Sequence, residues 1–352
     1  MTVITESTQM IVVGVDTHQR THHAVVLDHT GKRLADREIP VTERGYAALL
    51  DWASGFGLID RFGIESTGSY GAGLTRFLVA AGIEVIEVNY PDLVTRARQG
   101  KSDPIDAEAA ARAVLSGRAS GRPKLTSGTV ESIRVLKISR DSAVKDRSAA
   151  FSMLRDIITT APSELRETLL PLSPAARVKV ASAFHPDLAS VSAPEPAARY
   201  ATRRLALRIQ SLNEEIRDTD KVLDELVRGV VPTLVAAPQI GTQTAAQLLI
   251  TAGQNVDRLR NEASFAKLTG VAPLPASSGK SQRMRLNRGG DRQANRALYM
   301  IAVGRLKNHP ATIAYAQRRQ AEGLSRRDVI RCLKRYIARE TYNALKKDLD
   351  GL

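Results

Sequence analysis

The chain opens on runs of β-branched and apolar residues. Residues 10–16 (MIVVGVD) and 22–28 (HHAVVLD) predict two strands, and Gly31–Lys32 predicts a turn into a third over 33–40. A helix is expected over 42–55, with Tyr46, Leu49, Leu50 and Trp52 on its apolar side. Strand 61–65, a helix over 71–81, strand 83–88 and a helix opened by Asp103 and Pro104 follow. Beyond residue 125 the strand signal vanishes. Ile133, Val144, Phe151, Leu154 and Ile158 place a helix over 130–159, and a second long helix spans 197–230. Between them Pro162, Pro171, Pro174, Pro186, Pro194 and Pro196 predict a connector or loosely packed insertion over 161–196.

In the second long helix, Leu205, Ile209, Leu212, Ile216, Leu223, Leu226 and Val230 keep a 4,3 alternation, with Thr219 alone out of character. That a/d seam calls for a helical partner. Either a second protomer supplies it or the 130–159 helix folds back, and self-association is the preferred expectation. Three strands followed by α/β alternation predict a mixed sheet in the order of the RNase H-like fold. The fold class expected is therefore α/β: an RNase H-like N-terminal domain, a long helical coiled-coil linker and a mainly α-helical C-terminal domain.

The chain has 352 residues, 43% hydrophobic and 25% charged, which fits a soluble globular protein of two or three domains rather than a disordered one. The opening MTVITESTQ lacks a basic leader region and no apolar run is long enough to span a bilayer, so a cytoplasmic location and no membrane partner are expected. The single cysteine, Cys332, excludes an intramolecular disulfide and a cysteine-based zinc site. Charge changes the picture most. The formal net charge is +14, and from Lys280 onward 18 basic residues stand against 6 acidic ones. A merely solvated charged face would intersperse the two signs, so a polyanionic partner, nucleic acid, is expected.

In so basic a chain, four carboxylates stand out. Asp16 ends the first predicted strand and Glu65 ends the strand RFGIE. Asp103 and Asp106 share the first turn of a helix. Two divalent cations about 3.5–4 Å apart ionise a nucleophile and stabilise the leaving oxygen in phosphodiester chemistry, and they take hard anionic ligands. The cofactor expected is thus Mg²⁺ (or Mn²⁺), as two ions held by Asp16, Glu65, Asp103 and Asp106. Taken alone, Asp103 also fits an N-cap with Pro104 at N1 and Asp106 at N3; the two further strand-end acids favour the metal reading. His18, His22 and His23 lack the spacing of a zinc site and read as ordinary strand residues. The loop GSYGAG lacks the GK[ST] ending of a P-loop.

In the second half, PQIGTQTAAQLL (238–249) looks like one arm of a helix-hairpin-helix, with Gly241 as a phosphate-contacting turn residue and Gln239 where a first glycine usually stands. VGVDTHQ, IESTGSY, KSDPIDA and the stretch 264–302 together resemble the DEDD-type insertion-sequence transposases, the group of the bridge-RNA-guided recombinases and the Piv DNA invertase. The resemblance covers most of the chain apart from about 161–200. It implies a RuvC-like metal site on the same four carboxylates and a nucleophilic serine from a Ser-Gly pair, Ser278 with Gly279, of which Ser277 is the alternative. Arg283, Arg285 and Arg288 would hold the scissile phosphate, and Arg292 and Arg296 would face nucleic acid.

The domain division expected is a RuvC-like catalytic domain (8–160), a proline-rich connector and coiled-coil helix (161–232), and a C-terminal transposase domain (233–352). The resemblance implies a transposase or site-specific recombinase acting on donor and target DNA, guided by a structured bridge RNA. It would form a homodimer or homotetramer through the coiled coil and associate with the nucleoid when bound to DNA. The competing readings are a RuvC-like nuclease or Holliday-junction resolvase, which needs the carboxylates alone, a Piv-like invertase, and a non-catalytic nucleic-acid-binding protein on a degenerate nuclease fold.

Overall fold

The computed structural model describes residues 9–89, 102–276 and 284–350. Strands β1 (Met10–Thr17), β2 (Thr21–Asp28) and β3 (Arg33–Pro40) form the antiparallel meander, and β4 (Leu58–Glu65) and β5 (Val85–Val88) extend the sheet in parallel from β1. The resulting order is β3-β2-β1-β4-β5. Strand β4 starts three residues earlier than the apolar pattern predicts. Its first half carries Asp60 and Arg61, which neutralise each other at 2.8 Å and so hide a strand from hydropathy.

The sheet is covered on both faces. Ile11, Val13, Val15, Phe62 and Ile64 pack on Tyr46 and Leu49 of α1 (Glu43–Ser54) and on Leu74 and Leu78 of α2 (Ala72–Ala80). Thr42 starts α1, its Oγ1 accepting from the Gly45 N–H at 3.0 Å. On the other face, Val12, Val25, Leu27, Ile86 and Val88 meet Ala107, Ala110, Ala111 and Val114 of α3 (Asp103–Leu115). This contact is unusually close because both parties are stripped of side chain. Gly14 and Gly63 pair across β1 and β4. A Cβ on Gly14 would stand 2.0 Å from the Ala107 carbonyl oxygen, and one on Gly63 would stand 2.6 Å from Val114 Cγ2.

Beyond the sheet the chain is mostly helical. Helices α4 (Gly128–Thr160) and α7 (Pro194–Val230) form a long antiparallel hairpin, with Arg140 beside Asp220 and Arg147 beside Asn213. The seam of α7 is therefore filled by α4 of the same chain, not by a second protomer, which corrects the preferred expectation of self-association through this seam. Its composition differs as well. The buried positions are Thr202, Ala206, Ile209, Ile216, Leu223, Val227 and Val230, while Leu205, Leu212 and Leu226 are only half-buried. Asn213 and Asp220 continue the observed 4,3 spacing, and the arginines of α4 satisfy them at 3.0 and 2.9 Å. Polar seam positions with a partner are invisible to a count of apolar residues.

The proline-rich segment is folded, contrary to the loose connector expected. It forms α5 (Ser163–Leu169), α6 (Pro174–Ser182) and a 3₁₀ turn (Leu188–Ser190). Leu165, Leu169, Val178 and Ala181 pack on Leu154, Ile158, Ala206 and Ile209 at the hairpin tip. Pro174 and Pro194 each occupy the first position of a helix, where no backbone N–H is needed, so they begin helices instead of breaking them. The C-terminal lobe contains α8 (Pro232–Ala236), α9 (Thr242–Ala252), α10 (Glu262–Leu268), α11 (Arg292–Asn308), α12 (Pro310–Ala321) and α13 (Arg326–Leu349), with a short ladder of β6 (Leu274–Pro275) and β7 (Met284–Arg285). Its core includes Leu248, Leu249, Phe265, Leu298, Ile337 and Leu345 and extends to Val130 and Leu223 at the base of the hairpin. The connector after α3 is pinned to this lobe, with the Leu125 N–H donating to Asn255 Oδ1 and Lys124 Nζ to the Ile250 carbonyl, both at 3.0 Å.

Gly14→Ala forces α3 off the sheet and is expected to cost about 1–3 kcal/mol or more in urea unfolding followed by circular dichroism. Gly229→Ala, in α7 with open space around its Cβ, is the control and should stabilise by up to about 1 kcal/mol.

Candidate active site

Asp16 is the penultimate residue of β1 and Glu65 the last of β4. Val15 pairs with Ile64 in parallel register, so the two acids stand side by side where both strands leave the sheet. Thr17 ties these ends together, its Oγ1 donating to the Glu65 carbonyl at 3.1 Å. The chain then turns sharply through Ser66, whose φ of 53° lies in the left-handed region that few non-glycine residues adopt. Such backbone costs energy and persists where the surroundings over-determine it.

Helix α3 delivers the other two acids. Its N-cap is Ser102, which makes no side-chain cap bond, and Asp103 is the first helical residue. Asp103 is thus not spent on capping, and its Oδ1 approaches His18 Nε2 at 3.3 Å. The same nitrogen lies 3.3 Å from Asp16 Oδ2. Asp16, His18 and Asp103 together form a group whose donor atoms all lie within 4.8 Å of one another. Asp106, one turn along the helix, is buried, and its charge acts on Asp16. Glu65 is half-buried. Neither Glu65 nor Asp106 belongs to the three-residue group.

Burial pushes the Asp16 carboxyl above the usual carboxylate value; His18 and the Thr17 N–H oppose this, and the Asp106 and Asp103 carboxylates add to it. A buried acid surrounded by acids is a poor arrangement for a free carboxylate and a good one for a cation ligand. The donor set, hard oxygens with one imidazole nitrogen, fits a divalent metal.

Of the three histidines read as strand residues, His22 and His23 are that. His22 is fully buried and stacks on Tyr46, ring centroids 6.0 Å apart, and burial lowers its pKa. His23 Nε2 bonds Asp36 at 2.8 Å. His18 is the exception, and the reading of it as an ordinary strand residue is corrected by its place between two acids. The available signal was the spacing Asp16-Thr17-His18, since alternate residues of an extended chain share a side.

In the C-terminal lobe Ser278, its alternative Ser277 and Arg283 lie outside the described residues. The structure places the start and end of that connection on β6 and β7. Asn295 secures the base, its Nδ2 donating to the carbonyls of Thr269 and Gly270 at 2.9 and 3.1 Å while Lys334 Nζ donates to its Oδ1 at 2.8 Å. Burial, with Arg331 beside it, lowers the Lys334 pKa. Arg285, Arg288, Arg292 and Arg296 are exposed. Arg285 also lines a cavity of about 540 Å³ together with Arg331, Lys334, Arg335 and Arg339 of α13; the acids lining it among the described residues are Glu262 and Asp328. These α13 cations were missed individually; their spacing at positions 331, 334, 335 and 339 along one helix was the signal. Gly241 is the N-cap of α9, and Gln239 has φ of 59°, so it adopts the left-handed turn that a glycine would provide.

The raised Asp16 pKa has a stability consequence. Its native value lies above the ordinary 3.8, so over that window the native state holds a proton that the unfolded chain releases, and stability falls as pH rises through it. Asp16→Asn, neutral at every pH, should therefore raise the thermal midpoint at pH 7 in chelator-treated protein and lose that advantage at pH well below 3.8. Differential scanning fluorimetry at the two pH values checks the sign.

Comparison with known proteins gives the family. Residues 13–161 match the family model of the DEDD-type IS110 transposase, described as a transposase, and residues 232–317 match that of the transposase IS116/IS110/IS902 family. An insertion element IS110 uncharacterized 43.6 kDa protein of Streptomyces coelicolor is 25% identical over 361 residues, 89% of this chain and 88% of that protein. An insertion element IS900 uncharacterized 42 kDa protein of Mycobacterium paratuberculosis is 28% identical over 135 residues, 38% of this chain and 34% of that protein. With both family domains in order along a chain whose strand ends and α3 carry the acidic site, this protein belongs to the IS110/IS116/IS902 family of transposases.

Proposed function

We propose that this transposase cuts and rejoins DNA by metal-dependent phosphoryl transfer, with Asp16, Glu65, Asp103 and Asp106 as cation ligands and Ser278 as nucleophile. The observation that carries the reading is the meeting of Asp16 and Asp103, distant in sequence, in one group of donor atoms. The sheet order β3-β2-β1-β4-β5, with acids at the ends of β1 and β4, supports an RNase H-like, RuvC-like domain. Two Mg²⁺ or Mn²⁺ ions held there would supply charge stabilisation at the reacting phosphate.

The residues divide the remaining work. The Ser278 hydroxyl attacks phosphorus as the scissile P–O bond breaks, leaving a phosphoserine link and a free DNA hydroxyl. Bond energy is retained for rejoining. Arg283, Arg285 and Arg288 orient the phosphate, since guanidinium forks match its oxygens, and Arg292, Arg296 and the Gly241 turn contact the backbone beyond it. The family resemblance supports a structured guide RNA and an assembly of two or four chains, in which the serine of one protomer meets the carboxylates of another. It also supports action in the cytoplasm, at the nucleoid when DNA is bound. Among the described residues no helix is long and apolar enough to cross a membrane.

Recombination of a DNA substrate carrying the element ends tests the assignment. Ser278→Ala and Asp106→Asn should each lower it roughly a thousandfold or more. Only Ser278→Ala should also abolish protein–DNA adducts that survive denaturing electrophoresis while the fold is intact. Cleavage that persists in Ser278→Ala would instead identify a nuclease or junction resolvase. For the guide, RNA should co-purify with the protein, and full recombination by RNA-free protein would refute that part.

A further inference from the structure

We propose that His18 is a nitrogen ligand of the metal centre beside the four carboxylates, sharing one ion with Asp16 and Asp103, and that its nitrogen gives the site a preference for Mn²⁺ over Mg²⁺. The inference rests on the metal-site reading above and adds a donor to it. His18 Nε2 stands 3.3 Å from Asp16 Oδ2 and 3.3 Å from Asp103 Oδ1. Donor atoms each about 2.1 Å from one cation are separated by about 3.0 Å at a right angle and somewhat more at wider angles. The observed separations are thus those of neighbouring ligands on a shared ion.

Beyond its ion-pair contacts with these two carboxylates the nitrogen makes no aligned hydrogen bond among the described residues. Although the ring is 45% exposed, Nε2 itself is buried. A buried polar atom left in this way is costly, and a cation between it and the two carboxylates would satisfy all three. The backbone that carries the ring is also held in place. The main-chain N–H of His18 donates within the β1–β2 turn, to the Thr21 carbonyl at 3.2 Å and towards His22 Nδ1 at 3.3 Å.

The donor type determines which cation gains. Mg²⁺ is satisfied by carboxylates and water, whereas imidazole favours transition metals. Two oxygens and one nitrogen therefore select Mn²⁺ over Mg²⁺, without excluding Mg²⁺ from the carboxylates.

The test uses purified full-length protein, stripped of metal and titrated separately with Mn²⁺ and Mg²⁺ by calorimetry. Pulsed electron paramagnetic resonance on the Mn²⁺-loaded protein reads ligand nitrogen directly. Wild type should show ¹⁴N coupling to Mn²⁺, and both His18→Ala and His18→Gln should lose it. The two variants should bind Mn²⁺ about tenfold more weakly and Mg²⁺ within about twofold of wild type. Absence of ¹⁴N coupling in wild type with Mn²⁺ bound would overturn the proposal, and this readout does not depend on how well a variant folds. Equal losses for both metals would overturn it as well. Asp16→Asn separates the two levels: if it abolishes Mn²⁺ binding while no nitrogen is seen, only the His18 assignment falls. If it leaves Mn²⁺ binding untouched, the ion is elsewhere and the carboxylate site itself is refuted.

Discussion

The close seating of α3 on the sheet is the contact on which the candidate site depends. Two glycines, Gly14 and Gly63, lie paired in β1 and β4, and the helix answers with Ala107, Ala110 and Ala111. Removing side chains from both partners lets the helix backbone approach the strands directly. That brings the first turn of α3 over the C-terminal ends of β1 and β4, where Asp16 and Glu65 stand. A helix held off by leucines would bury as much apolar surface and would carry Asp103 away from Asp16. Small residues here are chosen by distance, and distance determines whether the acids meet.

The price of this convergence is electrostatic. Asp16 loses water, faces Asp103 and Asp106, and holds its proton more tightly than a free carboxyl. Left alone, the site works against folding. A cation reverses each of these terms, because it replaces the lost hydration and turns mutual repulsion into shared attraction. The left-handed Ser66 directly after Glu65 fits the same picture of local cost maintained by a rigid frame.

The helical regions solve a different problem, reach. Helices α4 and α7 extend from the C-terminal lobe as an antiparallel hairpin whose seam mixes Ile209, Ile216 and Leu223 with Asn213 and Asp220. Arginine partners favour one register of the pair, since sliding one helix against the other would separate these half-buried partners. In the C-terminal lobe Asn295 and Lys334 secure the chain leading into the β6–β7 ladder, and a basic cavity adjoins it. A rigid platform with surplus positive charge is a suitable mount for chemistry on a phosphate backbone.

The sequence by itself determined the order of strands and helices, the basic tail and the family. Each is local or compositional, written in periodicity, charge or motif, and needs no knowledge of what lies across the fold. Tertiary structure alone decided three matters. His18 looked like a strand residue because its value lies in Asp103, which another element carries to it. The seam of α7 looked like a surface for another chain because the polar positions Asn213 and Asp220 make sense only beside Arg147 and Arg140. The proline-rich segment looked loose because proline reads as a breaker until one sees that Pro174 and Pro194 begin helices. In each case the missing information was the identity of a neighbour distant along the chain, which packing supplies and periodicity does not.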